Sequence, residues 1–321
     1  MRTAIAGAAI VVFALCTLHG QTALKKTPWG DPDIQGTWNN QTLTPLERPA
    51  EFAGKPVLTE AEAAAYEAKL RTEGNADVRA PGTRRDVTTA YNDVWWDRGN
   101  RIVADRRTSL VVDPPDGKIP ALTPAGVVRR DAERHAAATQ DDTAGSWLDF
   151  DVYSRCIIRS ALPRMSTGYN NNYEIVQSPG YVAIMQEQMH DTRIIPLDGR
   201  PHLPGNVRQW LGDSRGHWEG DTLVVETTNF MDNARGSNFR EATPKMKLVE
   251  RFRRTSEGTL DYRFTITDPD TWTKPWTAAL PWNKETGLIY EYACHEGNYS
   301  MQHMLESIRA TEAAQAKAKA K

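Results

Sequence analysis

Cysteine is scarce in this chain of 321 residues, with three in all, at positions 16, 156 and 294. No Cys-x-x-Cys-His block is present to attach a haem, and no Gly-rich phosphate loop, dinucleotide-binding glycine fingerprint or flavin signal occurs, so a nucleotide-dependent redox role is disfavoured. Excess charge of one sign is missing too: 39 Lys and Arg stand against 41 Asp and Glu, a formal net charge of −2. Neither half is strongly basic, which removes nucleic acid from the expected partners. Beyond the first twenty residues there is no long apolar run, and therefore no segment expected to insert in a membrane.

Those first twenty residues, MRTAIAGAAIVVFALCTLHG, have the layout of an export signal. Arg2 supplies the positive start, Ala4 to Leu15 the apolar run, and Gly20 a small residue for cleavage. The mature chain is expected to be periplasmic or extracellular. It retains Cys156 and Cys294, a pair that in an oxidising compartment is most simply one disulfide, with two buried thiols as the alternative.

What the chain does have is aromatic surface and strand periodicity. Ten Trp and ten Tyr supply either core packing or the flat walls of a pocket. Residues 21–57 are rich in proline and turn formers. Thr59 to Arg71 reads as a helix with a Thr59–Glu62 capping box and Tyr66 and Leu70 on one face. Hairpins are expected at VWWDRGNRIV about Gly99-Asn100 and at SLVVDPPDGKIPAL about Asp116-Gly117. Thr123-Pro124 opens a second helix running to about Ala138.

From Cys156 onward strands follow one another: CIIRS, YEIVQS, YVAIMQEQ, TRIIPLDG, TLVVETTN, KLVERFRR, LDYRFTITD, WTAALPW and IYEYAC. Leu260, Tyr262, Phe264 and Ile266 alternate with Asp261, Arg263, Thr265 and Thr267, an in-out pattern of period two. Met301, Met304, Leu305 and Ile308 mark a C-terminal amphipathic helix. Short strands without βαβ alternation predict a mainly β fold, an antiparallel barrel or strongly bent sheet. The early Gly36-Thr37-Trp38 is similar to the Gly-x-Trp that opens the first strand of lipocalin-like (calycin) barrels. The expected organisation is a signal peptide over 1–20, an N-terminal elaboration over 21–150, a barrel core over 151–300, and a helix and tail over 301–321.

Three long stretches, RTSLVVDPPDGKIPALT, GDSRGHWEGDTLVVETTNF and YACHEGNY, resemble the shared stretches of a family of exported bacterial proteins. The resemblance implies export and a β-rich fold, and it assigns no catalytic residues.

Chemistry has several candidate seats. Gly212-Asp213-Ser214 is similar to the nucleophile block of GDSL-type esterases. Its place two-thirds along a β-rich chain, Arg215 in the following position and the lack of a late Asp-x-x-His all argue against Ser214 as nucleophile. The same stretch leaves Asp213, Arg215 and His217 as groups in the loop entering a strand. Gln186, Gln188 and His190 are expected on one strand face, with a turn at His190-Asp191 delivering both to a barrel mouth. Arg193 follows in that strand and His202 after the Asp198-Gly199 turn. His295 and Glu296 are expected at the end of the last strand.

His190 or His295 would then act as base, Asp191 or Glu296 would orient it, and Arg193 or Arg215 would hold negative charge. Ligand contacts are expected from Trp95, Tyr169, Asn171, Trp210 and Trp276, beside Asp213, Arg215 and His217. A metal site could be drawn from His190, His202, His217, His295 and Glu296. No pair of them has a ligand spacing such as His-x-His, so neither metal nor other cofactor is expected. These groups point to a cofactor-independent lyase, isomerase or hydrolase acting on a small aromatic or polyhydroxylated molecule. The alternative is a lipocalin-like carrier that binds such a molecule unchanged. Oligomeric state is left open.

Overall fold

The computed structural model describes residues 25–78, 81–82, 92–143, 145–158, 162–231, 239 and 241–319. The expected signal segment lies outside them. No helix among the described residues is long and apolar enough to cross a membrane.

Ten strands are present among these residues: β1 (Gly36–Asn39), β2 (Val111–Asp113), β3 (Asn172–Ser178), β4 (Tyr181–Gln186), β5 (Thr192–Pro196), β6 (Asp213–Glu219), β7 (Thr222–Thr228), β8 (Lys247–Arg254), β9 (Thr259–Thr267) and β10 (Trp276–Lys284). Their order is β5-β4-β3-β1-β10-β9-β8-β7-β6. All of these ladders are antiparallel, and the first strand pairs with the last, Trp38 opposite Lys284. This is the meander of a lipocalin-like barrel, nearly closed, with its seam between β5 and β6. At the seam Gly216 lies so near Ile195 and Leu197 that a Cβ there would come within 2.9 and 2.7 Å of them. A side chain at 216 would have to displace those two side chains.

The period-two pattern places one face of every strand in the lumen. Leu260, Tyr262, Phe264 and Ile266 of β9 are all buried, as are Leu248 and Phe252 of β8 and Leu223 and Val225 of β7. Trp282 of β10 stacks on Tyr173 of β3 with ring centroids 4.5 Å apart and also contacts Tyr262 at 4.9 Å. Trp38 of the Gly-x-Trp is fully buried, with the Arg254 guanidinium 5.5 Å from its ring centre. The lumen is thus packed by side chains in its middle rather than hollow.

Helix α1 (Glu60–Gly74) starts at the anticipated Thr59–Glu62 capping box and buries Ala63 and Tyr66. Helix α2 (Pro124–Thr143) begins where Thr123 caps it, its hydroxyl accepting from the Gly126 amide. Helix α3 (Ser300–Lys319) packs Ile308, Met301, Met304 and Leu305 on Phe150.

Several local expectations are corrected. The segment 94–103 is not a hairpin: Gly99 does turn the chain with φ +77, but its flanks bond elsewhere, the Asp97 amide to Gly168 and the Arg101 carbonyl to Leu43. The segment 109–122 is not a self-paired hairpin either, since β2 pairs with β10. Neither residues 156–158 nor residues 289–294 are a strand. In both places a cysteine bond and side-chain anchors replace a ladder. Conversely, 213–219 is strand β6 and not a loop, paired along its whole length with β7.

Candidate functional site

One rim of the barrel gathers the end of β1, the start of β3, the turn after β4, and three crossing segments near 95, 168 and 292. Asn39 Nδ2 donates to Asn172 Oδ1 at 2.8 Å, and the Asn40 amide donates to the Asn171 carbonyl. Asn171 is fully buried and spends its side chain on this scaffold, donating to the Asp97 and Thr167 carbonyls and accepting from the Thr167 amide. Its neighbour Asn170 takes the left-handed backbone, φ +55, that turns the chain into β3. Amide side chains tolerate that conformation better than most.

Trp95, Trp96, Tyr169, Asn170 and Tyr292 line a cavity of about 390 Å³ on this rim. Trp95 is 67% exposed. Trp96 is held firmly, with the Arg98 guanidinium 4.0 Å from its ring centre, Gly168 tight against the ring and Tyr169 edge-on at 6.1 Å. Behind these rings three phenols converge: the Tyr153 oxygen is 3.0 Å from that of Tyr169 and 3.0 Å from that of Tyr292. Burial and the bond to Tyr153 push the Tyr292 pKa far above the usual tyrosine value. That phenol therefore stays protonated and does not serve as a base.

Two devices fix this cluster. The Cys156–Cys294 disulfide joins segments 138 residues apart, with Tyr153 three residues before one cysteine and Tyr292 two before the other. His190 provides the second. Its Nε2 accepts from the Tyr292 amide at 2.9 Å, and the Tyr290 carbonyl lies 3.4 Å from the same nitrogen. Met189 and His190 both take positive φ in the turn after β4. The strand therefore ends at Gln186, and Gln188 and His190 are not on one strand face as the alternation implied. Opening the disulfide, by reduction or by Cys156→Ser with Cys294→Ser, is expected to lower unfolding free energy by about 2–4 kcal/mol. Chemical denaturation checks this, and a loss under about 0.5 kcal/mol would mean the rim is held without the bond.

Beneath the rim the lumen carries a buried polar layer. Arg193 of β5 reaches across to Glu250 of β8 in a bidentate pair, one arm at 3.3 Å, and the Tyr262 hydroxyl donates to the same carboxylate at 2.8 Å. The Arg164 amide donates to the Tyr262 oxygen at 3.0 Å, and its guanidinium binds Gln186. Burial drives the Arg164 pKa down and the Tyr262 pKa up, the latter reinforced by the Glu250 charge. This layer ties four strands and the 162–171 segment together through the barrel axis.

The stretch 213–219 divides between two faces. Ser214 points inward, its hydroxyl 2.9 Å from that of Thr227, and both are buried. Asp213, Arg215 and His217 point outward. His202 Nδ1 lies 2.8 Å from Asp213, its Nε2 lies 3.5 Å from Glu226, and Arg215 binds the other Asp213 oxygen at 2.6 Å. A Ser–His–Asp triad is thus sterically excluded here, because the sheet itself separates Ser214 from the His202–Asp213 pair. The outer cluster clamps the 197–212 crossover against β6, with the Leu203 amide bonded to Asp213.

The remaining candidates are dispersed. His217 is exposed and pairs with Glu219. His295 and Glu296 are exposed in the loop after the disulfide, and Arg193 is committed to Glu250 within the lumen. Asp191 lies in the turn after β4 beside Arg193. Trp210 packs on Val152 and Ile158, and Trp276 is wholly buried among Phe239, Phe264 and Trp272. Among the described residues no three His, Cys, Asp or Glu side chains are grouped as a metal site. Of the residues expected to touch a ligand, Trp95 and Tyr169 are brought together at one cavity. Trp96, Asn170 and Tyr292 complete its lining, and Tyr153 holds the two tyrosines from behind. A signal was present: once Cys156 and Cys294 are paired, Tyr153 and Tyr292 must be neighbours.

No protein-family model and no curated protein matches this sequence. Among solved structures, that of a variant of the fluorescent protein UnaG is similar over 42% of this chain and 86% of its own, at 16% identity and a TM-score of 0.23. The lipocalin-like assignment rests on the strand order and closure described above.

Proposed function

We propose that this protein binds a small, planar, neutral aromatic molecule at the rim cavity and carries it without chemical change. The observation that supports this most is the make-up of the cavity wall: among the described residues it is indole and phenol rings with one amide, and neither carboxylate nor imidazole. Rings offer apolar faces for stacking, and phenol hydroxyls supply oriented hydrogen bonds to a ligand oxygen. Acid–base work needs a group that changes protonation near neutral pH. Here the Tyr292 phenol is pushed away from that range, and His190 Nε2 is engaged by a backbone amide. The disulfide that sets the cluster is compatible with the exported setting that the leader implies.

A neutral fused phenol, 2-naphthol, is a suitable probe. Titration followed by calorimetry and tryptophan fluorescence is expected to show saturable binding, with 2-naphthol recovered unaltered. Trp95→Ala is expected to weaken it about ten-fold or more, as loss of an aromatic anchor does. Trp95 is an exposed side chain, so folding should survive, and circular dichroism verifies that. Binding unaffected by Trp95→Ala, or conversion of the probe, would overturn the reading.

A further inference from the structure

A second cavity of about 390 Å³ adjoins the first, and Trp96 is a wall of both. It lies between the C-terminal turn of α1 and the 93–100 segment. Its polar walls are Asp93, Asp97, Arg71 and Arg98, and its apolar ones Leu43 and Leu70. Two carboxylates face two guanidiniums in this lining; Arg98 lies 3.6 Å from Asp93, and Arg71 lies 3.9 Å from Glu67 beside it.

Asp93 accepts from the Ala76 amide through Oδ1 and faces Arg98 with the same oxygen, and the other charged groups keep hydrogen-bonding capacity after their internal contacts. Arg98 donates to the Gly74 carbonyl at 2.9 Å while covering Trp96. Arg71 donates to the Asn100 carbonyl at 2.7 Å. A guanidinium has five N–H donors, so donors remain on both. Asp97 accepts one long side-chain bond, from Asn39 Nδ2 at 3.4 Å, among the described residues. Donors and acceptors thus both face a space with an apolar wall. Hydroxyl groups, which donate and accept at once, satisfy both sets, whereas a carboxylate or an ammonium would meet half of them with repulsion.

We infer that the ligand is bipartite: an aromatic ring held between Trp95 and the Tyr169–Tyr292 wall, joined to a neutral polyhydroxylated group, a sugar in chemical class, seated against Asp93, Asp97 and Arg71. Trp96 is the divider around which the two parts are joined. The inference rests on the aromatic-carrier reading and adds the second half of the ligand. It also gives a role to Asp97 and Arg98, which follow Trp95 and Trp96 directly in the chain.

The test compares 2-naphthol, 2-naphthyl β-D-glucopyranoside and methyl β-D-glucopyranoside by calorimetry on the disulfide-intact protein. The expected result is that the naphthyl glucoside binds about ten-fold or more tightly than 2-naphthol. Asp97→Asn, which keeps the side-chain shape, and the exposed-side Arg71→Ala should each remove most of that gain and leave 2-naphthol affinity unaltered. Equal affinity of naphthol and its glucoside, or a glucoside gain that survives both substitutions, would overturn the bipartite ligand while leaving the aromatic site standing. Failure of all three compounds to bind would overturn the aromatic-carrier reading itself, and the inference with it.

Discussion

Replacing Glu250 by alanine is expected to destabilise the protein by about 3–5 kcal/mol. Glu250 is fully buried, Arg193 is 4% exposed, and the two form a bidentate pair across the lumen. Removing the carboxylate leaves a guanidinium in a low-dielectric interior with no counter-charge, and deprives the Tyr262 hydroxyl of its acceptor. Nearly all the loss comes from that stranded charge, not from an intrinsic worth of the pair. The control follows from the same reasoning. Joint replacement, Glu250→Leu with Arg193→Met, removes both charges and should recover most of the stability. Urea denaturation of the single and double variants decides the matter. A single-variant loss below about 1 kcal/mol would mean that water reaches the pair and the lumen is wetter than the packing indicates.

Trp282→Ala carries a comparable expectation, a loss of about 3–5 kcal/mol. Trp282 is fully buried at the centre of the aromatic stack, against Tyr173, Tyr262 and Phe252. These partners come from three different strands, so they cannot all move inward to fill the space. The cavity penalty is therefore added to the lost transfer energy. Trp282→Phe is expected to cost much less, because it keeps a ring and removes an indole N–H that is buried without a partner. Thermal or urea unfolding gives both values. A Trp282→Ala loss under about 1.5 kcal/mol would show that the barrel collapses around the gap.

Most strands were legible locally. β9 reads directly as alternation, and its four apolar residues are its four lumen residues. The Thr59–Glu62 capping box was visible three residues apart and is formed. Misreadings share one cause. Around Gly99 and in 289–294 the residue types suit strands, but the backbone partners lie far away in sequence, and periodicity carries no information about them. The stretch 213–219 shows the opposite error. Its reactive residues suggested a loop, while pairing with β7 makes it a strand and sends Ser214 and Asp213 to opposite faces.

The site was half legible. Trp95 and Tyr169 could be named from residue type and position, whereas Tyr153 and Tyr292 required knowing that two cysteines 138 residues apart meet. The buried Arg193–Glu250 pair could not be read at all, since a charged residue in a strand is normally a solvent-facing one.

By itself the sequence determined the class of fold, the strand faces, the caps and the aromatic stock, because each depends on residues within a few positions of one another. Only the tertiary structure decided where the barrel closes, which charges are sealed in its lumen and which rings share a cavity. Those depend on contacts between segments far apart in the chain, 57 residues for Arg193 and Glu250 and 138 for the two cysteines, and closing such distances is settled by packing and a covalent bond, not by local preference.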